Sequence, residues 1–456
     1  MVAADNSADQ HQPDPSRSHN AKSLNQPPIV LPVYRPSDTR PTHDDLKLAQ
    51  QGIHSYESKR LKLYTDIDPE IAKTLPAYID AAYTAWENYF GPLLPDREGA
   101  DFQITGYIMA DEELFRKTGL FPLTLPPFPN GRHRGAEFWI YDQKTDYYRR
   151  HLMIHEATHC FMTTVRDVLI APWYLEGMAE LFGTHSTDAK GKTHFGVMPH
   201  NKQDFRGLGR ITLIQVGIKE DRFHSLSEVI GLSGDDYLSN DAYAWSWALC
   251  RFLDSHPRYQ TRFRKLGEHQ SPSAFKNGFR EAFQPDIAEM KTQWCLFAHS
   301  LQDGFDMEQS AIDFVSGKPL DPQTKSDSFS IDSRRGWQSG KIRVEQGREY
   351  NVIATGSFTL ADEPRPWISE PQGISIRYFQ GHPLGMLLAA IHDETSEGIL
   401  QAGTKHDSML RVIPIGHKRR FKAEFSGTIY FRINDSFSEL ADNTGTVHIT
   451  IEEVQP

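Results

Sequence analysis

Five residues, His155-Glu156-Ala157-Thr158-His159, carry the most specific chemistry in the chain. They lie in the run Tyr147 to Val165, whose apolar spacing predicts a helix. Helical residues four apart stand about 40° apart around the axis and about 6 Å along it, so both imidazoles reach one metal ion. Glu156 lies beside them, placed to take a proton from a water that the metal activates, which is the pattern of a zinc hydrolase. Downstream, Pro172 to Phe182 carries two carboxylates, Glu176 and Glu180, on one apolar helix face. One of them supplies a third ligand. Two His and one Glu leave a position open for water, as catalytic rather than structural zinc requires, and spacing alone does not choose between the two glutamates.

At these residues the sequence resembles the gluzincin metallopeptidases, in which HExxH is followed one helix later by a motif like Trp-x-x-Glu-Gly-x-Ala-Glu, here Trp173 to Glu180. It looks most like the bacterial peptidase-MA-like proteins and more distantly like the thermolysin and aminopeptidase branches. The resemblance implies a thermolysin-like zincin domain that hydrolyses peptide bonds. His155, His159 and Glu176 are then zinc ligands, with the Gly-x-Ala pattern favouring Glu176; Glu156 is the general base, and Glu180 orients a histidine. Related enzymes place a tyrosine at the start of a later helix to stabilise the oxyanion, which implies Tyr243, with Tyr237 as runner-up. They also lay the substrate backbone along the strand before the metal helix, here Gly135 to Tyr141. Gly135-Ala136-Glu137 is similar to the aminopeptidase Gly-Ala-x-Glu motif but one residue short, so exopeptidase action is unsupported.

The elements around these residues read as α+β. Leu61 to Thr65 alternates like a strand, and Asp68-Pro69 opens an amphipathic helix predicted to reach Tyr89. A strand from Phe102 to Met109, a short helix from Asp111, a Pro-rich loop and a strand over Glu137 to Tyr141 follow. His185 to His200 has no clear period and reads as loops and short strands with solvated histidines. Helical spacing returns at Tyr243 to Leu253, Tyr259 to Leu266, Ser273 to Phe283 and Asp286 to Leu301. Residues 1 to 45, rich in Asp, Gln, Ser, Asn and Pro, read as a disordered leader, 46 to 303 as the metallopeptidase domain and 304 to 325 as a linker.

From 326 to 456 the composition is all-β, with short alternating runs between Gly, Asn, Asp and Pro. The best strands are Ile342 to Val344, Tyr350 to Ala354, Ile374 to Tyr378, Met386 to Ile391, Thr428 to Ile433 and Val447 to Ile451, which suit a β-sandwich. Arg432 to Asp435, Asp442 to Gly445 and His382-Pro383-Leu384-Gly385 are similar to the calcium-dependent galactose-binding PA-I type lectins. That resemblance implies calcium on Asp435, Asp442 and Asn443, with a sugar contact at His382. The chain lacks the Gln of the lectins' His-Pro-x-Gln segment.

With 456 residues the chain is long enough for two or three domains, and 38% hydrophobic and 24% charged residues suit soluble globular ones. A formal net charge of -11 argues against nucleic-acid binding. No run is apolar enough for a membrane helix. Cys160, Cys250 and Cys295 read as buried free thiols. Val2-Ala3-Ala4 before a polar tail is compatible with the remainder of a cleaved signal, and export to periplasm or medium is expected. The expected activity is zinc-dependent peptide hydrolysis. The alternative is a glycan-binding protein whose peptidase-like half is an inactive scaffold.

Overall fold

The computed structural model describes residues 34–35, 40–165, 171–200, 209–268 and 271–455. The expected leader falls mostly outside these residues, and at its end Asp45–Gln50 is helical, capped by the Asp44 side chain. The architecture is mixed helix and sheet, with an all-β C-terminal part. Among the described residues no helix is long and apolar enough to cross a membrane.

The N-terminal sheet has five strands, β1 (His54–Glu57), β2 (Leu61–Thr65), β3 (Ile104–Met109), β4 (Gly131–Arg134) and β5 (Glu137–Tyr141), in the order β1-β2-β3-β5-β4. β2, β3 and β5 run parallel, while β1 and β4 are antiparallel edges. Every residue of β3 is buried, as a central strand covered on both faces must be. The substrate edge was expected at Gly135 to Tyr141. Instead β5 is paired on both sides, and the free edge belongs to β4, a polar strand that hydrophobic alternation does not reveal.

The HExxH helix spans Asp146–Val165 and is buried at every position from Met153 to Met162. A helix buried all round lies at the centre of its domain, and this one packs on β4, β5 and the helices Leu75–Phe90 and Pro172–Gly183. The helix expected from Asp68 to Tyr89 is two pieces, Pro69–Ala72 and Leu75–Phe90. Pro76 lacks an amide proton and fits only the first turn of a helix, so it starts the second piece. The later helices, Asn240–Ser255, Gln260–Leu266, Pro272–Phe283 and Ile287–Ser300, lie close to expectation. All three cysteines are free and buried.

The C-terminal part is two packed sheets. One has the order Lys418–Lys422, Glu349–Thr355, Thr446–Glu453, Ser326–Asp332; the other is Gln372–Phe379, His382–Asp393, Gly427–Ile433, Gln338–Val344, with Ile413–Pro414 also paired to His382–Asp393. Their facing side chains form one core. Residues 304 to 325 are not a free linker. Ala311, Ile312 and Phe314 are buried, and Ile312 and Phe314 join Leu296 of the last long helix to Trp337, Leu388, Met409 and Tyr430 of the sandwich. Across the same seam the Thr292 hydroxyl donates to buried Asp407 at 2.8 Å.

Gly177 is where the glutamate-bearing helix Pro172–Gly183 crosses Asn240–Ser255. A Cβ there would lie 2.5 Å from both Cys250 Sγ and the Ser246 carbonyl oxygen. Helix propensity alone would make Gly177→Ala stabilising by about 1 kcal/mol, whereas overpacking costs about 1–3 kcal/mol. The steric effect should dominate: Gly177→Ala is expected to lower the melting temperature, and a rise in thermal denaturation would show that the two helices are not held this close.

Candidate metal centre

The helix Asp146–Val165 presents His155 and His159 one turn apart, and Pro172–Gly183 brings Glu176 against them. His155 Nε2 and His159 Nε2 are 3.2 Å apart, and Glu176 Oε2 lies 3.1 Å from His159 Nε2 and 3.3 Å from His155 Nε2. Donor atoms bonded at about 2.0–2.1 Å to one tetrahedral zinc stand roughly 3.3–3.4 Å apart, so this triangle has nearly the dimensions of one face of that tetrahedron. The chemistry of the set, two imidazoles and a carboxylate, fits zinc as well. Both histidines are buried, while the Glu176 side chain keeps 24% of its surface exposed.

Glu180, one turn after Glu176, faces the other side of His155. Its Oε1 is 3.2 Å from His155 Nδ1 and its Oε2 is 3.2 Å from His151 Nε2. Arg210, at the first turn of the helix Arg210–Lys219, donates to both oxygens, Nε to Oε2 at 2.7 Å and Nη2 to Oε1 at 2.6 Å. Burial alone would raise the Glu180 carboxyl, but Arg210 and His151 outweigh it and hold it well below the usual range. Burial opposes ionisation of Glu176 too, and there His159 and His155 prevail. The geometry therefore separates the two glutamates: Glu176 meets both Nε2 atoms, and Glu180 meets Nδ1.

Glu156 is 5% exposed and points toward β4. A Cβ on Gly131 would lie 2.6 Å from Glu156 Oε1, so glycine is what lets the strand edge approach the carboxylate. Two residues on, and therefore on the same strand face, His133 stacks on His159 with ring centroids 4.6 Å apart. Its Nδ1 lies 3.7 Å from Glu156 Oε2. Burial pushes the His133 imidazole down, so it is neutral at ordinary pH despite the pull of Glu156. Gly131 and His133 are not legible in the sequence, because only strand pairing brings them here. Their period-two spacing, short of the HExxH helix, was the one available signal.

Tyr243 stands in the first turn of Asn240–Ser255, its ring 6.0 Å from that of His155 and 5.7 Å from the Arg210 guanidinium. Burial, with Glu176, Glu156 and Glu180 nearby, pushes its phenol upward, which keeps it a neutral donor. The runner-up Tyr237 shares a 2.6 Å hydrogen bond with the Ser246 hydroxyl, whereas the Tyr243 hydroxyl has no hydrogen bond to the described residues. Glu137 is engaged elsewhere, accepting from the Tyr107 hydroxyl at 3.2 Å and lying 3.7 Å from Arg134. His194 and His200 are exposed as expected, but His185 is buried. It caps the preceding helix through Nδ1 to the Gly183 carbonyl at 2.7 Å, and burial pushes it down to about 4.

In the sandwich, Asp435 and Asn443 are brought together and Asp442 is not equivalent to them. Asp435 is 1% and Asn443 0% exposed, and Asp435 Oδ2, Asn443 Oδ1 and the neighbouring Asn434 Oδ1 are buried without a hydrogen-bond donor. Asp442 is exposed. Burial pushes Asp435 up to about 6, and Arg432 donates to its backbone carbonyl rather than its carboxylate. Buried oxygens that lack donors fit a hard cation such as calcium. Asn434 Nδ2 donates to the carbonyls of Phe379, His382 and Pro383, each at 3.0 Å, which fixes half-buried His382 beside the loop. The loop itself faces the N-terminal half. Phe437 and Leu440 belong to that half's core, and Phe437 stacks on Phe305 with centroids 5.4 Å apart.

No protein-family model and no curated protein matches this sequence. Among solved structures the chain is similar to the EclA N-terminal domain, a PllA-like lectin, with 16% identity over 28% of this chain and 95% of that one and a TM-score of 0.21. It is also similar to PliG of Aeromonas hydrophila, a periplasmic lysozyme inhibitor of g-type lysozyme, with 8% identity over 32% of this chain and 99% of that one and a TM-score of 0.19. Both likenesses are weak and involve less than a third of the chain.

Elemental analysis of the purified protein is expected to find one zinc per chain, lost in His155→Ala and Glu176→Ala. Glu180→Ala should keep the site but weaken metal affinity about 10–100-fold, the usual effect of removing a carboxylate behind a ligating histidine. Equal zinc content in all four proteins would place the metal elsewhere. In the sandwich, calcium should raise the melting temperature of the intact protein and not of Asp435→Asn. Protons compete for the Asp435 carboxylate, so the increment should shrink as the pH falls below about 6.

Proposed function

We propose that the protein is a zinc-dependent peptidase of the gluzincin type. The observation that carries this reading is the triangle of His155, His159 and Glu176 donor atoms, 3.1 to 3.3 Å apart, with Glu156 adjoining it. A mixed sheet, an HExxH helix behind its edge strand and a second helix bearing the glutamates support reading the N-terminal half as a zincin of thermolysin type. Bound zinc would supply Lewis-acid polarisation of the scissile carbonyl and acidify a water. The chain's own residues provide the rest.

An extended substrate adds to the free edge of β4, where the absence of a side chain at Gly131 leaves its backbone beside Glu156. Glu156 takes the proton from the attacking water and delivers it to the leaving amine. Tyr243 donates its free hydroxyl to the oxyanion, a charge that exists only during reaction, and its raised pKa keeps that proton in place. Glu180, locked by Arg210, holds the His155 ring in orientation. His133 covers Glu156 and His159 from the strand side. Calcium is proposed on Asp435 and Asn443, where it would neutralise a buried carboxylate beside the contact between the two halves. Glycan binding, the alternative use of that loop, requires a sugar to reach exposed Asp442 and half-buried His382.

The test is cleavage of a peptide library. Glu156→Gln should retain zinc and lose about 10²–10⁴-fold in kcat, and Tyr243→Phe about 10²–10³-fold with little change in KM. An unchanged rate in Glu156→Gln would remove the peptidase reading. Galactose-dependent binding that persists in that variant, with no cleavage by the intact chain, would favour the glycan-binding alternative.

A further inference from the structure

We propose that the strand Lys418–Lys422 is a docking edge for an extended peptide in which acidic and apolar residues alternate. This site is separate from the metal centre and stands whether or not the N-terminal half cleaves peptides. Among the described residues the strand ends its sheet, paired only to Glu349–Thr355. In that register the Ala354 amide donates to the His417 carbonyl and the Ala423 amide to that of Arg348. Odd-numbered residues therefore bond the neighbouring strand, and Lys418, Arg420 and Lys422 turn their backbone N–H and C=O groups to the open side. It is an unpaired edge three residues long in hydrogen-bonding terms.

The side chains make the edge selective. Lys418, Arg420 and Lys422 share one exposed face, and Arg419 and Phe421 share the other. Four basic residues in a five-residue strand contrast with the chain's net charge of -11. Arg420 is paired with Glu349, but Lys418, Arg419 and Lys422 have no ion-pair partner among the described residues. A cavity of about 350 Å³ adjoins the strand, lined by Arg419 and Phe421 of the second face together with Arg420 and Lys422. Ile391, Phe421 and Phe425 form its apolar floor, and Arg411 and Arg419 stand at its rim, with Arg411 3.1 Å from Glu424.

A charged edge strand alone only discourages pairing with other strands. This one adjoins a cavity that apolar side chains can enter. Like charges directly opposite on paired strands destabilise the pair and unlike charges stabilise it, so basic strands are refused and acidic ones accepted. A strand added here sends alternate residues to the Lys/Arg face and to the cavity, which sets the acidic-apolar alternation. A nucleic acid is disfavoured, because Phe421 is buried and Arg411 stands 5.2 Å over the Phe425 ring, leaving no open aromatic face for a base. The site is also remote from the cation loop: Ile391 lies nine residues beyond His382 on the strand His382–Asp393, about 30 Å away at the rise of an extended chain.

The experiment is fluorescence anisotropy with the full chain carrying Glu156→Gln, so that turnover cannot consume the probe. The probe is a labelled ten-residue peptide of alternating Glu and Val. It should bind saturably and with a salt-dependent affinity. Replacing Glu by Lys, or N-methylating the backbone on the pairing side, should weaken binding at least about tenfold. On the protein, Lys418→Ser with Arg419→Ser should do the same, and Arg420→Pro should weaken binding beyond Arg420→Ala, since only proline removes the free amide. Equal binding of the N-methylated peptide would reduce the edge to a general anion patch and overturn the proposal. Absence of saturable binding would overturn it too, and both peptide comparisons use a chain with an unaltered sandwich, so they hold if a variant fails to fold.

Discussion

The ion pair between Glu180 and Arg210 is the interaction on which the centre of the molecule depends. Glu180 is 2% exposed, and a carboxylate taken that far from water remains ionised only if its charge is matched and its oxygens are bonded. Arg210 does both with a bidentate contact. The remaining reach of each Glu180 oxygen is then directed at a histidine, His155 on one side and His151 on the other. One buried charge pair thereby sets the orientation of two rings on the neighbouring helix. It also ties the helix Arg210–Lys219 to the site, although none of its residues belongs to the triangle of His155, His159 and Glu176.

Two close approaches complete the positioning, and both occur at glycine. Gly177 lets the helix bearing Glu176 settle on the helix bearing Tyr243, and Gly131 lets the strand edge settle on Glu156. In each place a single methyl group would meet atoms of the opposing element. The geometry of the site is thus set by backbone proximity as much as by the side chains that line it. The Gly-x-Ala pattern after Glu176 acquires a physical meaning: it marks where the glutamate helix must come closest to its neighbour.

How much of this was legible in sequence follows from how local each signal was. Helix spacing made legible that His155 and His159 share one helix face and that Glu176 and Glu180 share a face of the next, while the meeting of the two helices lay beyond it; the long helices of the N-terminal half emerged close to their expected ranges. The division of labour between the two glutamates was not, because it depends on Arg210, thirty residues beyond Glu180 and without a motif. Gly131 and His133 were hidden in a four-residue polar strand whose identity comes from pairing with β5. Lys418–Lys422 was overlooked for a related reason, since a single inward-facing residue, Phe421, carries its entire apolar pattern. The break before Leu75 is masked because the apolar periodicity runs on across it, and only the missing amide proton of Pro76 marks it. The supposed linker was misjudged because Ile312 and Phe314 are too few to register as a buried segment, yet both lie in the seam.

The docking of Phe437 and Leu440 in the N-terminal core has a consequence for the chain as an object that can be divided. The change of composition near residue 304 looks like a place to cut. Cutting there would strand the apolar plug of Phe305, Phe437 and Leu440 on one fragment and its socket, around Phe297, on the other. Each piece would carry a newly wetted hydrophobic surface, inviting self-association. A boundary visible in composition is not one across which the fold can be taken apart.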